Sequence, residues 1–477
     1  MLAIQKNLSS SFFAILSLPA TAMGFALSVQ IAAMSWILTT QFGLDIHDVG
    51  FVWAAGPLAG ILGQVIIGVI SDKVWFWGGR RRPFILVGGV LAALSLLALP
   101  NIGVISESLG LTGVLGVAIT VALILDLSIN VSFNPTRSVI ADVTPDGNLR
   151  TKGYTWMQTV SGSFGVLAYA IGAVWDNFTL IYFGAVLVLA FSVLPCFFIE
   201  EPQNLEDDKE EAQAEFSFMQ GMKIIQPLWG FLIYGIYALV ARLAHMEADH
   251  YYVEIACFLI TVFFVAKTLL SKEESGNEHL GFQKVLAAHS FTWVGVQSMF
   301  IYMVPFVQFN RPDLTDNAMG SVVSYSFMIL NAVAAVLPVL LLQPLSEKFG
   351  AVKTHAYCIG TMAIGYFVLS FFGSQSFAIY ALMALLGVGW SATISLPFAI
   401  MSQKVDQSKM GLYMGLFNLS VVLPQLVASL GVGKAVSAAA DKNVLFVICA
   451  VCLAISAVGW FAVKEEKAVI SGEGGGH

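Results

Sequence analysis

Asp126 stands inside the apolar stretch from Leu111 to Phe133, where a charge costs about 2.5 to 3.5 kcal/mol on membrane-insertion scales. On a helix, Asn130 follows one turn later and Arg137 about three, so the three side chains share a face. Burial disfavours the charged form of a carboxyl, and a nearby polar ligand or cation restores it, so such an aspartate can load and release a proton. Arg137, about 16 Å further along by the helical rise, brings a permanent charge and a planar fork of donors suited to hydroxyl or carboxylate oxygens. Pro135 lies between them and removes a backbone donor, which can bend the helix. The plainer readings are an Asp that caps a broken helix and an Arg that anchors at a membrane face.

A second charged group lies upstream. Gly68 and Asp72 lead into Gly79 and the run Arg80, Arg81, Arg82, and Asp142 at the end of the Asp126 span is their expected partner. An acid beside several arginines can tie neighbouring helix ends into a cytoplasmic gate. Simple positive-inside anchoring accounts for the arginines but not for Gly68 and Asp72. Elsewhere, polar and aromatic side chains interrupt the apolar runs: Gln30 and Trp36, Trp53 and Gln64, Gln297 and Tyr302, Trp390, Asn418 and Gln425. Together they offer the polar edges and aromatic faces that a polyol needs. Each alone is as readily packing or a helix–helix hydrogen bond.

The elements that carry these residues are membrane spans. Hydrophobic residues form 57% of the 477-residue chain and charged residues 11%, far below the quarter typical of soluble domains. Mean hydropathy is +0.81. Stretches near the 20 residues a bilayer requires recur at 12–40, 49–70, 83–103, 111–135, 154–175 and 178–199. Six more run over 285–309, 318–344, 352–372, 377–401, 411–433 and 444–463. Two further runs, 225–243 and 251–271, form an expected central hairpin around the turn His245 to His250, which makes about fourteen spans. The organisation expected is an N-terminal six-helix bundle over 1–199, an acidic linker and hairpin over 200–284, a C-terminal bundle over 285–463 and a tail over 464–477.

Charge placement supports that count, because cytoplasmic loops collect lysine and arginine. With both termini inside, only Arg311, Lys434 and Lys442 of the 23 basic residues fall outside, Arg137 and Arg242 being within spans or at their edges. A single central helix would invert the second half. The formal charge of −7 resides in the segment Glu200 to Glu215, so there is no basic footprint for nucleic acid. The five cysteines lie in apolar runs without the spacing of a disulfide framework or a zinc site. No metal or cofactor is expected. His289, near the start of its span, is an interfacial histidine that titrates near neutral pH in the alternative reading.

Ser71-Asp72-Lys73 with Gly79 and Arg80 in the first half is echoed by Ser346-Glu347-Lys348 with Gly350 in the second. The former resembles the major facilitator signature with an expanded spacer between acid and arginines. More specifically, the chain resembles the sucrose/proton symporters of plants and their animal and bacterial relatives. The likeness runs through Trp53, the segment Gly56 to Gly60, Gln64, Gly68, Ser71-Asp72, Gly79 to Ile85, and Asp126-Leu127 through Asn130, Pro135, Arg137 and Asp142. It continues over Leu385 to Ile400 and Gly411 to Gln425. The resemblance implies an all-α major facilitator fold of two six-helix bundles, with Asp126 as the proton-coupling acid and Arg137 as the substrate-site arginine. It also implies that Asp72, Arg80, Arg81 and Asp142 form the cytoplasmic gate. The central hairpin and the seventh major span depart from the plant pattern.

The expected function is proton-coupled symport of a sugar, a disaccharide α-glucoside such as sucrose or maltose, by a monomer in a bacterial inner membrane. A fourteen-helix proton-coupled drug antiporter, or a sodium-coupled sugar symporter, would use the same buried acid. A membrane-embedded enzyme lacks support in any His-rich, Ser/His/Asp or HExxH spacing. A non-transporting sugar sensor would differ only in flux.

Overall fold

The computed structural model describes residues 8–61, 70, 74–145, 148–202, 218–244, 246, 251–272, 279–405 and 410–465. Among the described residues every element is helical apart from an isolated β-bridge between Phe76 and Gly79. The first half comprises α1 (Ser10–Thr40), α2 (Ile46–Trp53), α3 (Arg82–Ala98), α4 (Ile102–Ser108), α5 (Leu115–Val143), α6 (Asn148–Val174) and α7 (Asn177–Val193). A central group follows: α8 (Phe218–Ile224), α9 (Trp229–Leu243) and α10 (Tyr252–Leu270). The second half has α11 (Leu280–Asn310), α12 (Asp316–Leu337), α13 (Gln343–Phe349), α14 (Ala351–Leu369), α15 (Ser376–Ser402), α16 (Met410–Leu426), α17 (Gly433–Ala438) and α18 (Val444–Trp460).

Ten helices among the described residues are long and apolar enough to cross a membrane. The expected 444–463 span is a 17-residue apolar helix, α9 has 15 residues, and the second expected span is described only as far as residue 61 and at residue 70. The chain is a multi-pass membrane protein. Its outward faces carry Leu94, Val186, Phe258, Leu340, Ile364 and Val458, all exposed, which water would not tolerate in such number.

Short side-chain caps start the spans by taking backbone N–H groups that the first turn leaves unpaired. Ser9 accepts from Phe12, Asp45 from Asp48, Asp176 from Thr179 and Thr315 from Ala318. The halves repeat the same pairings. In the first, α1 packs on α6 and α7, and α3 on α5 and α7; in the second, α11 packs on α16 and α18, and α14 on α15 and α18.

Among the described residues the two halves meet chiefly at the distal face, where the loops 41–45 and 311–315 lie. There α12 packs along α6, with Tyr169 edge-on to Phe327 at 5.9 Å. Gly50 of α2 meets the Ser429 carbonyl and the Tyr302 hydroxyl so closely that any side chain would overlap them. Residues Val427–Val432 form a π-helical turn after Pro424. Such a turn shifts the backbone pairing, and the Tyr302 hydroxyl donates to the carbonyls of Ala428 (3.2 Å) and Ser429 (2.8 Å). The hairpin α9/α10 lies against α11 and the π-turn.

Candidate functional site

Asp126 is held on α5 midway through a continuous helix that runs past Pro135 without a break. Its side chain is buried at 7% exposure. One carboxylate oxygen accepts the Gln30 amide N–H from α1 at 3.0 Å. Across from it lies Gly56, where a β-carbon would stand in ordinary van der Waals contact, 3.4 Å from both carboxylate oxygens. Gln30 is itself 1% exposed, and its Oε1 has no partner among the described residues. The amide can therefore donate to a carboxylate or, turned over, accept from a carboxylic acid.

Asn130 turns back onto its own helix and donates to the Asp126 carbonyl at 2.8 Å. Arg137 does not reach Asp126. Its guanidinium lies over the Phe133 ring, 4.3 Å from the centroid, and the residue is exposed; the Tyr154 hydroxyl donates to its carbonyl at 3.2 Å. An arginine with one face on an aromatic ring keeps its fork of donors for a ligand.

The second half answers with amides and indoles. Gln425 on α16 donates to Gln297 on α11 at 3.2 Å. Trp390 on α15 donates to Asn331 on α12 at 3.2 Å and stands edge-on to Phe300 at 5.4 Å. Asn418 is half-buried on α16. Trp53 and Trp36 both lie buried at the distal face. Trp53 donates to Ser35 (2.8 Å), which donates to the Ile301 carbonyl of the other half (2.8 Å). Trp36, fully buried, donates to the Asp316 carbonyl at 2.8 Å. Tyr302 likewise spends its hydroxyl on backbone carbonyls. The reason is common to all three: near a closed interface a buried N–H or O–H must find an acceptor, and backbone carbonyls there are close.

At the opposite, proximal face, Arg81 Nε donates to Asp142 Oδ2 at 3.0 Å, with side chains only 9% and 11% exposed. The expected partnership of the arginine run with Asp142 thus exists as a contact within the first half. Gln64, Gly68 and Asp72 lie outside the described residues, as do the turn His245 to His250, apart from Met246, and most of the acidic linker. Arg80 contributes its backbone N–H. That N–H and those of Arg81 and Arg82 all donate to the Glu201 carboxylate, each at 2.7 Å. Glu201 was indistinguishable in sequence from the acids that follow it, although its place one residue before Pro202 set it at the edge of the run. The second half repeats the device: Glu465 accepts from the Val352 N–H at 3.1 Å, at the start of α14.

A model of the Major Facilitator Superfamily matches residues 16–429, and again 297–476. The chain belongs to that superfamily. Sucrose transport protein SUC4 of Arabidopsis thaliana is 24% identical over 440 residues, covering 82% of this chain and 78% of its own. The general alpha-glucoside permease of Schizosaccharomyces pombe is 31% identical over 202 residues, 38% of this chain and 36% of its own. The human proton-associated sugar transporter A is 30% identical over 159 residues, 32% of this chain and 21% of its own. Among solved structures, that of the POT family transporter PepTSo superposes with a TM-score of 0.65 at 12% identity, covering 95% of this chain and 97% of its own. That likeness fixes the fold alone.

Proposed function

We propose that the protein carries a sugar together with protons by alternating access, and that the sugar is an α-glucoside disaccharide such as sucrose or maltose. The observation that carries this reading is the buried Asp126, paired with an amide able to serve both of its protonation states. An intramembrane acid marks a proton or substrate path by default, and in a facilitator the site lies between the halves near mid-membrane. The names of the relatives supply the cargo class, sucrose and alpha-glucosides, and one of them a proton.

In this reading Asp126 ionises when the site is empty and exposed to the low-proton side, with Gln30 donating to the carboxylate. Protonation and sugar arrive together from the other side, and the neutral pair crosses. Arg137 orients sugar hydroxyls; Gln297, Gln425, Asn418 and Trp390 meet it from the second half. The bundles 1–199 and 285–463 rock about the bound sugar, and Arg81 with Asp142 belongs to a gate at the proximal face. We place that face and both termini in the cytoplasm from the distribution of basic residues, in a bacterial inner membrane, with the monomer as the working unit.

The test is reconstitution in proteoliposomes with a panel of glucosides while internal pH is recorded. Sugar entry with proton entry is the expected result. Sugar entry against proton exit would replace symport by antiport, a sodium requirement would replace the coupling ion, and no uptake of any glucoside would end the sugar reading.

A further inference from the structure

His289 carries an anomaly that the transport cycle does not use. It is 2% exposed on α11, stacked on Phe417 at 4.9 Å with planes 15° apart, and edged by Trp460 at 6.2 Å. Trp293, one turn on, donates its indole N–H to His289 Nε2 at 2.9 Å. Indole can only donate, so Nε2 carries a lone pair and the imidazole proton of the neutral ring sits on Nδ1. That Nδ1 is buried with no hydrogen-bond partner among the described residues. A leucine there would avoid an unsatisfied donor at the same packing volume, and such local violations gather at functional positions.

What the imidazole accomplishes is to fix Trp293. That ring is half-buried and meets Trp390, also half-buried, at a centroid distance of 6.1 Å and an interplanar angle of 85°. Each indole is pinned through its N–H, Trp293 by His289 and Trp390 by Asn331. Gln297, one turn beyond Trp293, and its partner Gln425 stand beside them. The result is a right-angled aromatic corner edged by amides. A disaccharide bends at its glycosidic link, so its two rings can each lay an apolar face on one wall, while the amides meet the hydroxyls.

We propose that Trp293 and Trp390 form a two-walled stacking site for a disaccharide, and that His289 is the positioning residue that holds the Trp293 wall. This rests on the sugar reading and narrows it: single-ring sugars use one wall only.

The experiment measures KM and maximal rate for a disaccharide and inhibition by the corresponding monosaccharide, in the wild type and in His289→Leu, His289→Gln and Trp293→Leu. Loss of one ordered aromatic contact is worth about three- to tenfold in affinity. His289→Leu should raise the disaccharide KM about fivefold with the maximal rate nearly unchanged, and leave monosaccharide inhibition within about twofold. His289→Gln, whose side-chain oxygen can accept the same indole N–H, should restore the wild-type KM. Adding His289→Leu to Trp293→Leu should change nothing further. In fluorotryptophan-labelled protein, with the Trp293 resonance assigned through Trp293→Phe, that resonance should move in His289→Leu and stay near its place in His289→Gln. An unchanged KM in His289→Leu, a fall in maximal rate alone, or no rescue by glutamine overturns the positioning role. Equal losses for both sugars in Trp293→Leu overturn the corner. A wild type that binds no saccharide removes the sugar reading itself, which is a different result from a wild type that binds normally beside indifferent variants.

Discussion

Around the cleft the first half offers charge and the second offers faces and amides. Asp126 and Arg137 stand on the same helix, the acid sequestered by Gln30 and the base lying open over Phe133. Opposite them, Trp390, Gln297 and Gln425 carry no net charge and are already hydrogen-bonded to their own half. A group that must change protonation needs a setting whose polarity can be switched, whereas a group that recognises shape needs a rigid one. In the proposed cycle the coupling acid stands on the first half alone, while recognition is shared between the Arg137 fork on the first half and the uncharged rings and amides of the second.

Asp126→Asn breaks the comparison most severely. Proton-driven accumulation should vanish in vesicles with an imposed pH gradient, while downhill exchange of sugar persists, because the amide keeps the size and part of the bonding of the protonated acid. Full accumulation by this variant would take Asp126 out of the mechanism. Arg137→Lys comes next: one ammonium cannot reproduce the guanidinium fork, so KM should rise about tenfold or more, with the proton-to-sugar ratio intact. On the other side, Trp390→Leu should raise KM by about fivefold and also leave that ratio unchanged. A changed ratio in Trp390→Leu would show that the second half also bears on coupling.

The smallest effect concerns the paired caps. Glu201→Gln should lower thermal stability in detergent by about 1 kcal/mol, since it removes a carboxylate serving three N–H groups at a helix start. Glu465→Gln, which serves one, should cost less. Equal losses would mean that the repeated device is anchored by something other than these bonds.

Much of this was legible from residues alone, for physical reasons that also mark where legibility ended. The spans announce themselves through apolar length, and Asp126 through being an acid within one. Gln30 stood out as a polar residue in an apolar run, but its pairing with Asp126 did not, because the two lie on α1 and α5 and meet only once those helices pack. That Trp36 and Trp53 would spend their indole N–H groups at the interface between the halves was not legible either, since sequence does not tell which face of a buried helix abuts the other half. His289 was read as interfacial from an expected span start at residue 285. The helix begins at Leu280, which places the imidazole about 13 Å along it, inside the packed bundle. Glu201 disappeared among neighbouring acids of like charge. The tie it makes depends on where residue 79 returns to the end of the first bundle, a matter of three-dimensional proximity.

The central hairpin has grips on both jaws of the molecule. Arg242 of α9 is ion-paired with Asp48 of the first half and lies over Phe51, while Glu254 of α10 takes the ammonium of Lys434 from the second half at 3.2 Å. Both pairs stand at the sealed distal face. In the proposed alternating-access cycle, a hairpin that moves as a unit could not follow both Asp48 and Lys434 once they part, so opening that face would cost one of the two bonds. Half-exposed pairs of this sort contribute up to about 1 kcal/mol each and fade as salt rises. In that cycle the hairpin would act as an ionic spring, and the balance between the two end states would become a quantity that the surrounding electrolyte can tune.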